Sequence, residues 1–112
     1  MQNKTHPQKS LGQNFLKDEK VVDKIVQALE LDQNDQVLEI GPGTGILTKR
    51  LLPEVESLTA VEIDRDLCKK LVKSFCKKDN FLLLQGDILK LNLEQNLENF
   101  PQFQNPNKVV AN

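Results

Sequence analysis

The chain has no tryptophan and no tyrosine, and its aromatic content is five phenylalanines in 112 residues. A planar ligand or base therefore cannot be stacked on tyrosine or tryptophan from this sequence. Long apolar runs are also missing, and Met1 to Ser10 is polar, so no stretch reaches signal-peptide or membrane-spanning length. A cytoplasmic location and no membrane partner are the default expectation. There is no excess of positive charge: 15 Lys and Arg stand against 16 Asp and Glu, for a formal net charge of -1. Global charge does not mark a nucleic-acid binder, and any RNA contact has to come from local patches. Cysteine is scarce. Cys68 and Cys76 fall in one expected helix, roughly 12 Å apart along its axis, so they cannot pair within it. Neither sits in a CxxC or histidine-containing ligand spacing, which leaves reduced structural thiols and no metal site.

What is present is an ordinary globular composition, 38% hydrophobic and 28% charged, enough for one domain with one core and without internal repeats. Residues 1–17 are polar and basic, with Lys4, His6, Lys9 and Lys17 around a short apolar element of Leu11, Phe15 and Leu16. They read as an arm. From Asp18, a potential N-cap, Val21, Val22, Ile25, Val26 and Leu29 recur at helical spacing. Val37, Leu38 and Ile40 predict a strand that runs into Gly41-Pro42-Gly43-Thr44-Gly45. Ile46 to Leu52 resumes helical spacing before Pro53, Leu58 to Ile63 predicts a second strand, and Asp66 to Lys77 a helix with Leu67, Leu71, Val72 and Phe75 inward. Phe81 to Leu84 predicts a third strand that closes on Gly86-Asp87. Strands alternating with helices imply a parallel sheet, and the apolar stretches Phe81 to Leu84 and Val109 to Ala111 suggest strands buried on both faces. Asn92 to Asn107, rich in Asn and Gln with Pro101 and Pro106, predicts a short helix plus a mobile surface loop. The class is α/β, Rossmann-like. A last strand with nothing after it to cover it suggests a fragment.

Three alternate glycines after a strand let the main chain turn tightly and approach a ligand without side-chain interference. A nicotinamide fingerprint needs its third glycine one position further on, where this chain has Ile46, so the spacing is GxGxG and a dinucleotide is disfavoured. Glu62 lies 21 residues beyond Gly41 at the end of the second strand, where a carboxylate can accept hydrogen bonds from both hydroxyls of a ribose. A solvated strand-end carboxylate is the plainer alternative. Asp87 repeats the logic at the third strand, able to accept from an exocyclic adenine amine while Ile88 packs on the ring, or simply to cap a turn. In a Rossmann-like sheet Gly41, Glu62 and Asp87 would line one crevice.

Ser10-Leu11-Gly12-Gln13-Asn14-Phe15-Leu16, Leu38-Glu39-Ile40-Gly41-Pro42-Gly43-Thr44-Gly45-Ile46-Leu47-Thr48, Val61-Glu62-Ile63-Asp64, Gly86-Asp87-Ile88-Leu89 and Val109-Val110-Ala111-Asn112 follow one another in an order and spacing that resembles the ribosomal RNA adenine dimethyltransferases. The resemblance spans almost the whole chain, whereas GxGxG alone is shared with many methyltransferases. It implies a class I S-adenosylmethionine-dependent methyltransferase fold, here partial, with residues 1–17 as arm and cofactor lid and 18–112 as the cofactor-binding domain. It implies S-adenosyl-L-methionine held by Asn14, Leu16, Gly41, Glu62, Asp87 and Asn112, with Asn112 beside the methyl group as the catalytic residue. In this family Asn112 would begin an Asn-Leu-Pro-Tyr motif that holds the target adenine, and the family's C-terminal RNA-binding domain would follow.

The adenine amine is a poor nucleophile because its lone pair is delocalised into the ring, so catalysis rests on holding it in line with the methyl and on stacking the extruded base. With Asn112 alone, these 112 residues are expected to bind cofactor and to transfer methyl weakly or not at all. The implied partner is ribosomal RNA within an immature small ribosomal subunit, and a monomer is expected. Lys4, Lys9, Lys17, Lys20 and Lys24 offer phosphate contacts, but Asp18, Glu19 and Asp23 interleave with them and favour a solvated face. Gly12 and Arg65-Asp66 resemble the small-subunit branch more than the large-subunit enzymes that confer macrolide resistance. A cofactor- or RNA-binding module without activity is the alternative from another class, and a dehydrogenase a distant third.

Overall fold

The computed structural model describes residues 18–111. Helix α1 (Glu19–Leu29) begins where Asp18 accepts a hydrogen bond from the Lys20 amide, as its position before the apolar periodicity predicts. Strand β1 (Gln36–Ile40) leads through the glycine turn into α2 (Ile46–Leu51), which tightens into a 3-10 turn at Leu52–Glu54 where Pro53 removes a backbone donor. Then follow β2 (Ser57–Glu62), α3 (Arg65–Phe75), β3 (Phe81–Gln85), α4 (Leu93–Leu97), a 3-10 turn at Pro101–Phe103 and β4 (Lys108–Ala111). All strand pairings are parallel, in the order β3-β2-β1-β4. The α/β Rossmann-like class read from the alternation is therefore the observed one.

Side chains alternate across the sheet, and the two faces have different cover. Val37, Leu58 and Ala60, with Phe81, Leu83 and Val110 packed against them, meet Val22 of α1, Leu47 and Leu51 of α2, and Leu71 and Phe75 of α3. This is the main core, and each of its valine, leucine and phenylalanine side chains contributes roughly 1.5–3 kcal/mol on burial. On the other face lie Leu38, Ser57, Thr59 and Val61. There Ser57 donates its hydroxyl to the Gln102 carbonyl at 2.7 Å, tying the second 3-10 turn to the start of β2.

Four expectations need correction. Val72 of α3 is half exposed, and Cys68 takes an inward position instead, because Asp64 accepts from the Asp66 and Leu67 amides and starts the helix at Arg65. The second strand ends at Glu62, leaving Ile63 exposed beyond it. β3 and β4 are sheet edges and only half-buried, with Val109 58% exposed, so an unbroken apolar run here did not signal burial on both faces. Between Asn92 and Asn107 the chain is no mere surface loop, since Leu97 and Phe103 are buried and anchor it.

At the amino ends of the strands Asp35 is a hub. Its carboxylate accepts from Lys108 Nζ at 2.9 Å, Asn107 Nδ2 at 2.8 Å and the Asp32 amide at 2.8 Å, while its carbonyl accepts from the Glu56 amide. One buried carboxylate thus joins the entry to β1 with the starts of β2 and β4. The hydrogen bonds from Lys108 and then Asn107, outweighing the opposing effect of burial, lower its pKa to about 2. The folded form then holds the carboxylate ionised more strongly than the unfolded chain, so its contribution is complete above about pH 4 and is lost as pH falls toward 2. The melting-temperature gap between the wild type and Asp35→Asn is accordingly widest above pH 4 and closes between pH 4 and 2. Thermal melts across that range that showed a constant gap would contradict this.

Candidate functional site

The ladder between neighbouring strands continues past their carboxyl ends. The Gly41 amide donates to the Val61 carbonyl and the Gly86 amide to the Glu62 carbonyl, each at 2.9 Å. Three loop tips are thereby held side by side, as the placement of Gly41, Glu62 and Asp87 at strand ends predicts. The turn after β1 closes when the Gly45 amide donates to the Pro42 carbonyl.

Two glycines in that turn have different reasons. Gly45, at φ 90°, caps α2, and a Cβ there would lie 2.7 Å from Phe75 Cε2, so its absence lets α2 and α3 approach. Gly43, at φ 63°, has no atom within 4 Å of the place where a Cβ would stand. Packing does not require it; its conformation does, and the space beside it is open.

Glu62 is only 5% exposed, and its two oxygens face two loops. Oε1 accepts from the Gly43 amide at 3.2 Å and Oε2 from the Asp64 amide at 3.0 Å. The carboxylate locks the glycine turn to the end of β2, a role the spacing of motifs did not disclose. Each oxygen keeps acceptor capacity for a further donor. Glu39, one strand over and wholly buried, accepts from the Thr48 hydroxyl at 2.5 Å, which ties β1 to the first turn of α2. Behind Glu62, the Cys68 thiol donates to the Glu62 carbonyl at 3.4 Å. Burial first, then the Glu62 and Asp64 carboxylates, push this thiol above its ordinary pKa. It stays protonated at neutral pH and is no nucleophile.

Asp87 is half-buried. Its Oδ1 accepts from the Leu89 amide at 2.9 Å and its carbonyl from the Lys90 and Leu91 amides, so the turn-capping alternative is realised. Oδ2 has no hydrogen bond to a described residue. Ile63, 64% exposed, follows Glu62 in the chain, and half-buried Ile88 and Leu89, 90% exposed, follow Asp87. Sequence reading placed Ile63 within the strand, whereas it lies exposed directly after Glu62. Asn14, Leu16 and Asn112 lie outside the described residues.

A cleft of about 890 Å³ runs between α2 and α3, lined by Thr44, Gly45, Lys49, Phe75, Lys78 and Asn80 among others. It shares the glycine turn but is lined by neither Glu62 nor Asp87. Among the described residues no cluster of His, Cys, Asp and Glu is suited to a metal ion, and no helix is long and apolar enough to cross a membrane.

The family described as Ribosomal RNA adenine dimethylase matches residues 4–112. A protein of Nostoc sp. named Ribosomal RNA small subunit methyltransferase A is 64% identical over 106 residues, which cover 95% of this chain and 39% of that protein. The chain thus spans well under half the length of that relative. A solved dimethyladenosine transferase from Plasmodium falciparum superposes with a TM-score of 0.69 at 29% identity, over 83% of this chain and 31% of its own. The solved 23S rRNA methyltransferase ErmE gives 0.63 at 35% identity, over 69% and 32%.

The two glycines are separable by experiment. Gly43→Ala should cost roughly 1 kcal/mol from its left-handed backbone alone, while Gly45→Ala adds the overlap with Phe75 and should cost more, on the order of 2–4 kcal/mol. Urea midpoints that rank the two variants the other way would refute the packing role of Gly45.

Proposed function

The chain belongs to the ribosomal RNA adenine dimethylase family, and on that premise we propose that it is the cofactor-binding part of an S-adenosylmethionine-dependent enzyme that dimethylates two adjacent adenosines near the 3′ end of small-subunit (16S) ribosomal RNA. The fold is the Rossmann-like class I methyltransferase fold, seen also in the solved dimethyladenosine transferase and ErmE. The observation that carries the cofactor reading is the Glu62 carboxylate bonded to the Gly43 amide, with open space at Gly43.

The donor set fits an adenine nucleoside. Glu62 would accept from the ribose hydroxyls through its remaining lone pairs, and Gly41 and Gly43 would let the main chain come close to the ligand. Asp87 would accept from the adenine amine through Oδ2, and Ile63 and Ile88 would cover the ring. When bound, S-adenosylmethionine supplies an activated methyl on a sulfonium. Asn14 and Leu16 would close over it from the arm, and Asn112, which follows Ala111 in the sequence, would hold the target amine. Positioning is what such a transfer needs, because no covalent enzyme intermediate forms.

The small-subunit assignment rests on relatives at 52–65% identity that carry that name, against 35% for ErmE. The substrate would be RNA of an immature small subunit in the cytoplasm, with the protein acting as a monomer.

Titration calorimetry with S-adenosylmethionine should give saturable heat for the wild type. Glu62→Gln, which keeps one acceptor and removes the charge, should weaken binding about 10- to 100-fold, the worth of 1.5–3 kcal/mol in charge-assisted hydrogen bonds. No heat in the wild type, or equal affinity in a folded Glu62→Gln, would remove the cofactor assignment. Labelled-methyl transfer to immature small subunits in preference to large ones tests the substrate.

A further inference from the structure

The near-neutral total hides a segregated surface. From Arg65 to Lys78, helix α3 and the turn after it carry Arg65, Lys69, Lys70, Lys73, Lys77 and Lys78, all exposed, with Asp66 as the one acid in that stretch. None of the six forms an ion pair with another described residue; the ion pairs among the described residues are Arg50 with Asp23 and Lys108 with Asp35. Arg65, Lys69 and Lys73 follow at four-residue steps along α3, a stripe of about 12 Å at the rise of a helix, and Lys77 continues the step in the turn beyond it.

Helix stability does not account for the stripe. Cations near the carboxyl end complement the helix dipole, which covers Lys73, Lys77 and Lys78, but Arg65 and Lys69 lie in the amino-terminal half, where the dipole opposes them. Like charges four residues apart also repel. α1 is the contrasting case: it mixes Glu19, Lys20, Asp23 and Lys24, and Asp23 pairs with Arg50.

Arg65 and Lys69 of the stripe border a groove of about 420 Å³ between α3 and the edge strand β3, lined also by Val72, Leu83 and Gln85 with buried Cys68. Val72, half exposed, gives that groove an apolar patch among the cations. Arg65 opens the helix immediately past Glu62, at the same edge of the sheet as Asp87. β3 is three strand spacings, roughly 14 Å, from β4, at whose end the target base would sit.

We propose that the outer face of α3 is an RNA-backbone docking surface, in which the Arg65–Lys77 stripe takes the phosphates of a strand flanking the target adenosine. The proposal rests on the RNA-substrate reading given above and adds the surface that holds the RNA. Its basis is charge complementarity: a single-sign stripe with no ion pair to another described residue, in a chain of net charge -1, beside a groove with an apolar contact for ribose.

The test compares the wild type, Lys69→Gln/Lys73→Gln/Lys77→Gln, and a control Lys20→Gln/Lys24→Gln on α1. The probe is a hairpin RNA of small-subunit 3′-end sequence, titrated from 0.05 to 0.3 M salt. Each phosphate contact contributes about 0.7–0.9 to the slope of log affinity on log salt. The α3 variant should therefore lose about 2 to 3 units of slope and about 100-fold in affinity at 0.1 M salt, with S-adenosylmethionine binding and melting temperature unchanged. The control should keep the wild-type slope. Unchanged slope and affinity in the α3 variant, an equal loss in the control, or no RNA binding by the wild type overturns the proposal. So does a loss confined to an acidic polypeptide such as polyglutamate, which would mark a protein-docking face. Cofactor titration of the same samples separates the readings: a chain that binds cofactor while its RNA affinity is unmoved sinks the docking face alone.

Discussion

The parallel register of β1 with β2 and of β2 with β3 is the constraint on which the rest depends. Ile40 lies opposite Val61, and Val61 opposite Leu84, so the three strands finish level. Because parallel strands all run the same way, every strand-to-helix loop emerges at one edge, and every polar group placed just after a strand becomes a neighbour of the others. A glycine turn, a glutamate and an aspartate far apart in sequence come to the same edge of the sheet for no other reason. The backbone bonds from Gly41 to Val61 and from Gly86 to Glu62 carry that alignment into the loops.

On this frame two acids divide the work. Glu62 satisfies two amides and so stiffens the turn, and what it holds in place is also what it would present to a ribose. Structural and ligand roles need not compete, since a carboxylate has lone pairs to spare after two hydrogen bonds. Asp35 does the corresponding task at the opposite edge, where it gathers Lys108, Asn107 and the Glu56 amide around the strand starts. The sheet is clamped by charge at its base and by a carboxylate at the carboxyl ends of its strands, with aliphatic packing between.

The core follows the same economy. One sheet face is covered by α1, α2 and α3 through closely packed leucine, valine and phenylalanine, and Gly45 exists to let Phe75 come near α2. The other face is more sparsely covered, by α4 and the turn at Pro101–Phe103, through Leu97 and Phe103. Charge is distributed as unevenly as packing: α1 balances its signs, whereas α3 gathers one sign on its outer side.

Sequence alone determined the alternation of strands and helices, the cap at Asp18, the glycine turn, and the carboxylates at strand ends, because each of these depends on neighbours within a few residues or on a period of two or 3.6. It also determined the family, through motifs whose order carries more information than any one of them. Tertiary structure alone decided which apolar runs are edges: Val109 and Leu84 look like central-strand residues until the strand order places β4 and β3 at the rim. It decided that Cys68 turns inward while Val72 does not, that Leu97 and Phe103 leave their polar surroundings for the core, and that Glu62 binds the glycine turn 19 residues away. Local sequence specifies a residue's direction relative to its own backbone, but burial and partnership depend on what the other elements bring against it, and that is fixed only when the sheet assembles.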